Sequence, residues 1–258
     1  MATETFDIWG QQTPAGTSAL FPNPTGEPAI TPAQLATHGQ LLALANSAAA
    51  NEANLVIAAL ATAYYAQAGS NAAENLRQAV LTANAQVRQQ RPTPAGTTLV
   101  AAIWKQGMLH AINVGNSRAY LVRQGQAWSL TRDHVTAEGS LSRIMIRTPF
   151  LEPDIYRPLA LEHEDRVLLC TPGLYHTLPA KALARTAGRG TAQEATTTLL
   201  AQVAGNNAAA LLAQHPPRPA GARLTTAQKA ILGILSLITL LMFAWFLLET
   251  WLTLTAGS

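Results

Sequence analysis

Residues 97–130 read TTLVAAIWKQGMLHAINVGNSRAYLVRQGQAWSL, and the fold class follows from the pattern of this segment. Short runs of apolar and β-branched residues are separated by turns that contain Gly107, Gly115 and Gly125. Such runs with glycine-bearing turns are typical of consecutive antiparallel strands. We therefore expect a four-stranded β-meander. Its strands are residues 97–104, 108–114, 119–123 and 126–130.

One strand and two helices are expected before the meander. The apolar run at residues 41–45 is typical of a buried strand, and a helix follows at about residues 53–67. Asn71 with Glu74 three residues later resembles a capping box, and Pro92 ends the second helix.

The chain after the meander continues with strand, helix and strand. Residues 167–170 are an apolar run, Thr191 and Glu194 form a second capping box, and residues 208–213 predict the last strand. Because helices and strands are segregated and do not alternate, the pattern favours an α+β fold over a parallel sheet.

Composition excludes several classes of protein. The chain is 48% hydrophobic, only 12% of its residues are charged, and its formal net charge is +3. Because basic residues form no stripe, we expect no nucleic-acid partner. Cys170 is the single cysteine, which fits a reducing compartment, and its apolar strand favours packing over a nucleophilic role.

Residues 230–248 read AILGILSLITLLMFAWFLL and contain no charge. As a helix this run is about 28 Å long, close to the apolar thickness of a bilayer. A buried core helix is the alternative, but such a helix usually keeps a polar face. Arg218, Arg223 and Lys229 precede the run and Glu249 follows it, so the positive-inside rule places the preceding domain in the cytoplasm.

These observations predict a single-pass membrane protein with a cytoplasmic N-terminal domain. The expected parts are a domain at residues 1–214, a proline-rich basic linker at 215–229, a transmembrane helix at 230–252 and a short tail at 253–258.

Four segments, in this order, resemble one known family. They are residues 96–102, 111–120 together with 130–134, 165–174 and 205–207. They resemble the PPM-type, protein phosphatase 2C-like family of metal-dependent serine/threonine phosphatases. The resemblance implies a β-sandwich of two antiparallel sheets flanked by helices. It also implies two or more Mg²⁺ or Mn²⁺ ions, held by carboxylates, which activate a bridging water for attack on phosphorus.

The family motifs that hold phosphate and metal are altered in this chain. Counted from Gly10, the phosphate-binding arginine position holds Thr13, and the Asn-Glu-Asp positions end in Thr17 and Ser18. The Asp-Gly, Ser-Asp-Gly and Asp-Asn motifs are altered as well. The degenerate counterparts are Thr13, Thr17, Ser18, Asn46, Ser47, Pro172, Gly173 and Asn206.

Loss of the carboxylates leads to a functional hypothesis. The metal-binding aspartates of the family correspond to neutral residues here, at Ser18, Asn46, Pro172 and Asn206. We therefore expect no catalytic residue, no metal ligand and no cofactor, and a pseudophosphatase that acts as a binding or regulatory module in phospho-signalling. A protein partner, such as a kinase or a phosphoprotein, is implied by the resemblance alone.

Two other functions stay open at this stage. A weakly active phosphatase would need carboxylates from elsewhere, such as Glu52 or Asp7, to face Asn46. An unrelated anchored domain, such as a structural membrane component, would lack two packed sheets.

Three further groups of residues are candidates for chemistry. Residues 162–165 are an acidic cluster that favours a solvated turn over a metal site, and Asp133 with His134 favours a structural role over an acid–base pair. The arginines of the middle third could bind a phosphorylated partner or anionic lipid, although a scattered solvated surface is favoured. They are Arg118, Arg123, Arg132, Arg143 and Arg147.

Overall fold

The structure is a computed structural model. It describes residues 6–14, 16–22, 29–91 and 93–214, and three helical residues near the C-terminus, which are Thr239, Met242 and Trp245. The chain divides into two units, Met1–Pro216 and Pro217–Ser258.

The first unit is built from alternating groups of strands and helices. The strands are β1 (Asp7–Gln12), β2 (Ser18–Phe21), β3 (Gln40–Ser47), β4 (Thr97–Lys105), β5 (Met108–Val114), β6 (Arg118–Arg123), β7 (Gln126–Ser129), β8 (Asp154–Ile155), β9 (Leu159–Ala160), β10 (Arg166–Cys170) and β11 (Ala209–Gln214). The helices are α1 (Pro32–His38), α2 (Ala50–Tyr65), α3 (Ala72–Gln90), α4 (Pro172–Tyr175), α5 (Ala180–Ala187) and α6 (Ala192–Ala201).

The strands form two antiparallel sheets. The first sheet has the order β1-β11-β10-β6-β7, and the second has the order β2-β3-β4-β5-β8 with β9 also paired to β5. Side chains on the facing sides, among them Leu44, Val100 and Leu211, form the core between the sheets. Helices α2 and α3 cover the outer face of the second sheet, and α4, α5 and α6 cover the outer face of the first.

The predicted α+β sandwich of two antiparallel sheets flanked by helices is therefore confirmed. The expected single meander is wrong in one respect, because β4 and β5 lie in the second sheet while β6 and β7 lie in the first. The chain crosses between the sheets at residues 115–117, where Gly115 has a φ of +97°. A Cβ atom at this glycine would lie 2.6 Å from Cβ of Thr98, so the crossing needs a residue without a side chain.

Both predicted caps are present, with one difference. Thr191 and Glu194 make the reciprocal capping box at the start of α6. Asn71 caps α3 by accepting from the backbone of Ala73 and Glu74, but the Glu74 carboxylate pairs with Arg77 instead of returning to the cap. Because an i,i+3 arginine can reach the carboxylate, the ion pair replaces half of the capping box.

Within the described residues, no helix is both long and apolar enough to cross a membrane. The predicted linker at 215–229, membrane helix at 230–252 and tail at 253–258 lie outside the described residues, apart from the three helical positions named above. These parts of the chain stay predictions.

The core between the sheets gives a first test of the fold. Leu44 is fully buried between the sheets, so Leu44→Ala should lower the free energy of unfolding by about 3 kcal/mol through lost burial and a cavity. Phe150→Ala is the matched control, because that side chain is 91% exposed and should change stability little. Urea denaturation of both variants measures the difference, and equal effects would contradict the packing described here.

Candidate functional site

Eight strands have an end at one side of the sandwich. Strands β1, β3, β5 and β10 finish here, whereas β2, β4, β6 and β11 begin here. Since antiparallel neighbours place opposite ends together, residues that are distant in sequence meet at this edge. We call this region the strand-end site.

The connection between β1 and β2 is tied to the turn before β11. The Thr13 hydroxyl donates to the Asn206 carbonyl at 2.6 Å and accepts from the Ala208 amide at 3.1 Å. Thr17 and Asn207 exchange two further hydrogen bonds, of 3.1 and 3.4 Å. Thr13 is buried, and its hydroxyl holds the β1–β2 connection against the turn before β11.

Ser18 and Asn46 lie directly opposite each other in the β2–β3 register. The Ser18 hydroxyl donates to Oδ1 of Asn46 at 3.0 Å. Alternate strand residues share a face, so both side chains lie on the side of the second sheet that carries Leu20 and Leu44, between the sheets. The pair therefore lies where the space between the two sheets ends at the strand-end site, and we call this end of the space the cleft.

The segment after β10 packs against the same turn. The Thr171 hydroxyl accepts from the Ala209 amide at 2.9 Å, and Pro172 begins α4. A Cβ atom at Gly173 would lie 2.2 Å from the Asn207 carbonyl oxygen, so the backbones touch there. The Asn206 amide donates away from the cleft, to the Thr177 hydroxyl at 2.8 Å.

The structure therefore brings the eight predicted positions to one end of the fold, with Ser47 on the opposite face of β3 from Asn46. The groups that they offer are hydroxyls, amides and backbone carbonyls, all of them neutral. Among the described residues, no three His, Cys, Asp or Glu side chains lie close enough to hold a metal ion. Two Mg²⁺ or Mn²⁺ ions require carboxylate ligands, so this donor set does not fit a dinuclear centre.

Glu52 and Asp7, the carboxylates considered for a rearranged site, are engaged elsewhere. Glu52 is buried and accepts from the Ser47 hydroxyl, the Ala95 amide and the Thr97 hydroxyl. Ser47 and Asn46 are consecutive in β3, so the Glu52 carboxylate lies on the helix-covered side of the sheet. Asp7 lies at the far end of β1 and accepts from the Ala192 amide at 2.8 Å.

Asp133 and His134 have separate structural partners. Asp133 accepts two hydrogen bonds of 2.8 Å from Arg118, whose guanidinium also lies 3.8 Å from the centre of the Tyr175 ring. His134 accepts from the Gly115 amide at Nδ1, while its Nε2 lies 3.0 Å from Asp154. These contacts fix the crossing between the sheets, which agrees with the structural role expected for the two residues.

The acidic cluster at residues 162–165 is an ion-paired turn. Asp165 is 1% exposed and takes a bidentate contact from Arg123, which also contacts Glu162 at 2.7 Å. The expectation of a merely solvated turn is therefore wrong for Asp165. Burial requires a charged partner, and that partner comes from β6, which is remote in sequence.

Arg88 and Arg91 carry no motif that would single them out in the sequence, yet they meet Arg147 at one cavity. The signal that could have found them is two arginines at the C-terminal end of α3, where Arg88 lies in the last turn of the helix and Arg91 follows as its C-cap. Arg147 is among the candidate arginines of the middle third, but its place beside Arg88 and Arg91 could not be predicted, because it lies in a loop remote in sequence.

Comparison with known proteins agrees with this architecture. Residues 25–152 match the family model of protein phosphatase 2C. No curated protein matches the chain.

Several solved structures are similar over most of the first unit. PppA, described as a key regulatory component of T6SS in Pseudomonas aeruginosa, is 19% identical with a TM-score of 0.67, over 82% of this chain and 98% of that one. The catalytic domain of the serine/threonine phosphatase PstP, in complex with two manganese ions, is 21% identical with a TM-score of 0.66, over 81% and 97%. The phosphatase MsPP from Mycobacterium smegmatis, in complex with cacodylate, is 20% identical with a TM-score of 0.66, over 83% and 100%.

Cys170 gives a chemical test of this region. It lies at the end of β10, beside the strand-end site, and is fully buried. Burial raises the pKa of its thiol far above the ordinary value, and nearby Arg118 lowers it by less. Because the thiolate is the reactive form, iodoacetamide at neutral pH should leave Cys170 unmodified in the folded protein.

Mass spectrometry measures the extent of alkylation. Unfolding in guanidinium chloride is the control and should make the modification complete. Rapid stoichiometric labelling of folded protein, with an unchanged circular dichroism spectrum, would contradict the placement of this strand.

Proposed function

Because this chain carries a protein phosphatase 2C-type domain, we propose that it is a membrane-anchored pseudophosphatase that binds and regulates a protein partner. The observation that carries this proposal is the neutral hydrogen bond between Ser18 and Asn46 at the mouth of the cleft. It occupies positions where the family resemblance implies metal-binding carboxylates.

Electrostatics supports the absence of a dinuclear centre. Two divalent ions about 4 Å apart repel each other by roughly 16 kcal/mol at an effective dielectric constant of about 20. Carboxylates normally offset this repulsion, whereas the hydroxyl of Ser18 and the amide of Asn46 offer no net charge. Pro172 contributes no ligand side chain at all. Without bound metal ions, the water that attacks phosphorus in the family's mechanism would not be activated.

Similarity to PppA supports a regulatory role, since that protein is described as a regulatory component. Binding of a kinase or of a phosphoprotein is the interaction that we propose, because proteins of this fold handle phosphorylated proteins as substrates. Fold likeness alone does not carry activity, so the proposed loss of catalysis rests on the site, whereas the proposed partner rests on the resemblance.

Membrane attachment is part of the same proposal. The uncharged run at residues 230–248 and the basic residues before it support a single span with the phosphatase-like domain in the cytoplasm. Such an anchor would raise the local concentration of the domain near partners at the same membrane.

Thermal unfolding with and without Mn²⁺ tests the proposal. A ligand that binds the native state must raise its melting temperature, so the wild-type protein should show no shift at low millimolar Mn²⁺ relative to a chelator. The comparison variant is Ser18→Asp combined with Asn46→Asp, which places two carboxylates side by side. Like charges should lower its melting temperature in chelator, and Mn²⁺ should restore part of the loss.

The matched control is Gln11→Asp combined with Thr197→Asp, an exposed hydrogen-bonded pair of 3.3 Å that lies away from the cleft. Mn²⁺ should raise the melting temperature of this control much less than that of the Ser18→Asp and Asn46→Asp double variant. Hydrolysis of p-nitrophenyl phosphate is measured on the same samples. Mn²⁺-dependent stabilisation of the wild-type protein together with hydrolysis would show that the proposal is wrong.

A further inference from the structure

A cavity of about 400 Å³ lies at the C-terminal end of α3. It is lined by Arg88, Arg91, Pro94, Ile146 and Arg147. We call it the arginine cavity. It lies on the helix-covered side of the second sheet, near Gly96, whereas the Ser18–Asn46 pair lies between the sheets.

The guanidinium groups of the arginine cavity have no anionic partner in the described part of the chain. None of the three takes part in an ion pair or a side-chain hydrogen bond with a described residue. Arg118, Arg123 and Arg143, by contrast, are all paired with carboxylates. The end of α3 contributes only about half a negative charge, so the cavity stays strongly positive.

A buried asparagine fixes the wall that carries Arg147. Oδ1 of Asn84 accepts from the Ile146 amide at 2.6 Å, and its Nδ2 donates to the Thr148 carbonyl at 3.1 Å. Asn84 is 3% exposed and lies one helical turn before Arg88. The same face of α3 therefore both supplies an arginine and holds the opposing loop in place.

The backbone at this wall is strained. Ile146 has a φ of +72°, a conformation that is a genuine outlier for a β-branched residue. Such conformations persist only where the surroundings enforce them, and they cluster at ligand clamps and active sites. Here the Asn84 amide and the full burial of Ile146 enforce the conformation that presents Arg147 to the cavity.

We propose that the arginine cavity binds the phosphate monoester of a phosphorylated side chain on a partner protein. Guanidinium forks match phosphate oxygens in pairs, and three of them around one recess suit a compact dianion. An anionic membrane is instead attracted by a larger cluster of basic residues on an open surface. The choice of a phosphoprotein as the source of the phosphate rests on the proposed function.

Fluorescence anisotropy on the full chain tests this proposal. The probe is a labelled, capped five-residue peptide with a central phosphothreonine between glycines, and its unphosphorylated form is the control peptide. The phosphopeptide should bind, and Arg88→Ala combined with Arg147→Ala should weaken its Kd by at least about tenfold. Arg147→Lys keeps the charge without the fork and should give an intermediate loss.

The matched control variant is Arg132→Ala combined with Arg157→Ala, which removes two exposed arginines elsewhere and should leave Kd unchanged. An equal loss in this control, or no binding of the phosphopeptide, overturns the proposal. So does binding that the cavity variant leaves unchanged. If the Arg88→Ala and Arg147→Ala variant instead loses the extra binding that phosphatidic acid adds over pure phosphatidylcholine vesicles, while the phosphopeptide does not bind, the cavity belongs to the membrane and the proposal is overturned.

Hydrolysis of the phosphopeptide with Mn²⁺, followed on the same samples, separates this inference from the proposed function. Binding without hydrolysis supports both. Binding with hydrolysis contradicts the proposed pseudophosphatase but still supports phosphate binding at the arginine cavity. Absence of both binding and hydrolysis contradicts only the proposed phosphate binding.

Discussion

A direct hydrogen bond between two neutral side chains, Ser18 and Asn46, is the constraint on which the rest of this protein depends. It joins β2 to β3 at the mouth of the cleft, and it satisfies both groups without an ion. Carboxylates at this separation would repel each other and would need a cation between them. The chain therefore keeps the architecture of a phosphatase fold while its cleft is closed by uncharged contacts.

Other uncharged side chains also hold the strand-end site together. Thr13 and Thr17 tie the β1–β2 connection to the turn before β11, and Thr171 does the same for the end of β10. Charged pairs are used away from the cleft, where Arg118 with Asp133 and Tyr175 holds the crossing between the sheets. Within the described residues, these neutral hydrogen bonds join the connections at the strand-end site to one another.

Local signals made much of the fold predictable. The caps at Asn71 and Thr191 involve residues only three positions apart, so they can be recognised in a single sequence. Strands β3 to β7, β10 and β11 can be recognised in the same way from their apolar runs. The division of the meander between two sheets depends on Gly115 fitting against Thr98, a contact that no run of residues displays. The arginine cavity was hidden for the same reason, since Asn84 reaches a loop more than sixty positions away.

Anomalous X-ray diffraction at the manganese edge, on crystals soaked in Mn²⁺, tests the neutral cleft most directly. We expect no anomalous peak within bonding distance of the Ser18 hydroxyl or the Asn46 amide oxygen, because these groups cannot balance the charge of two dications. Two well-occupied peaks side by side between the sheets would contradict the account.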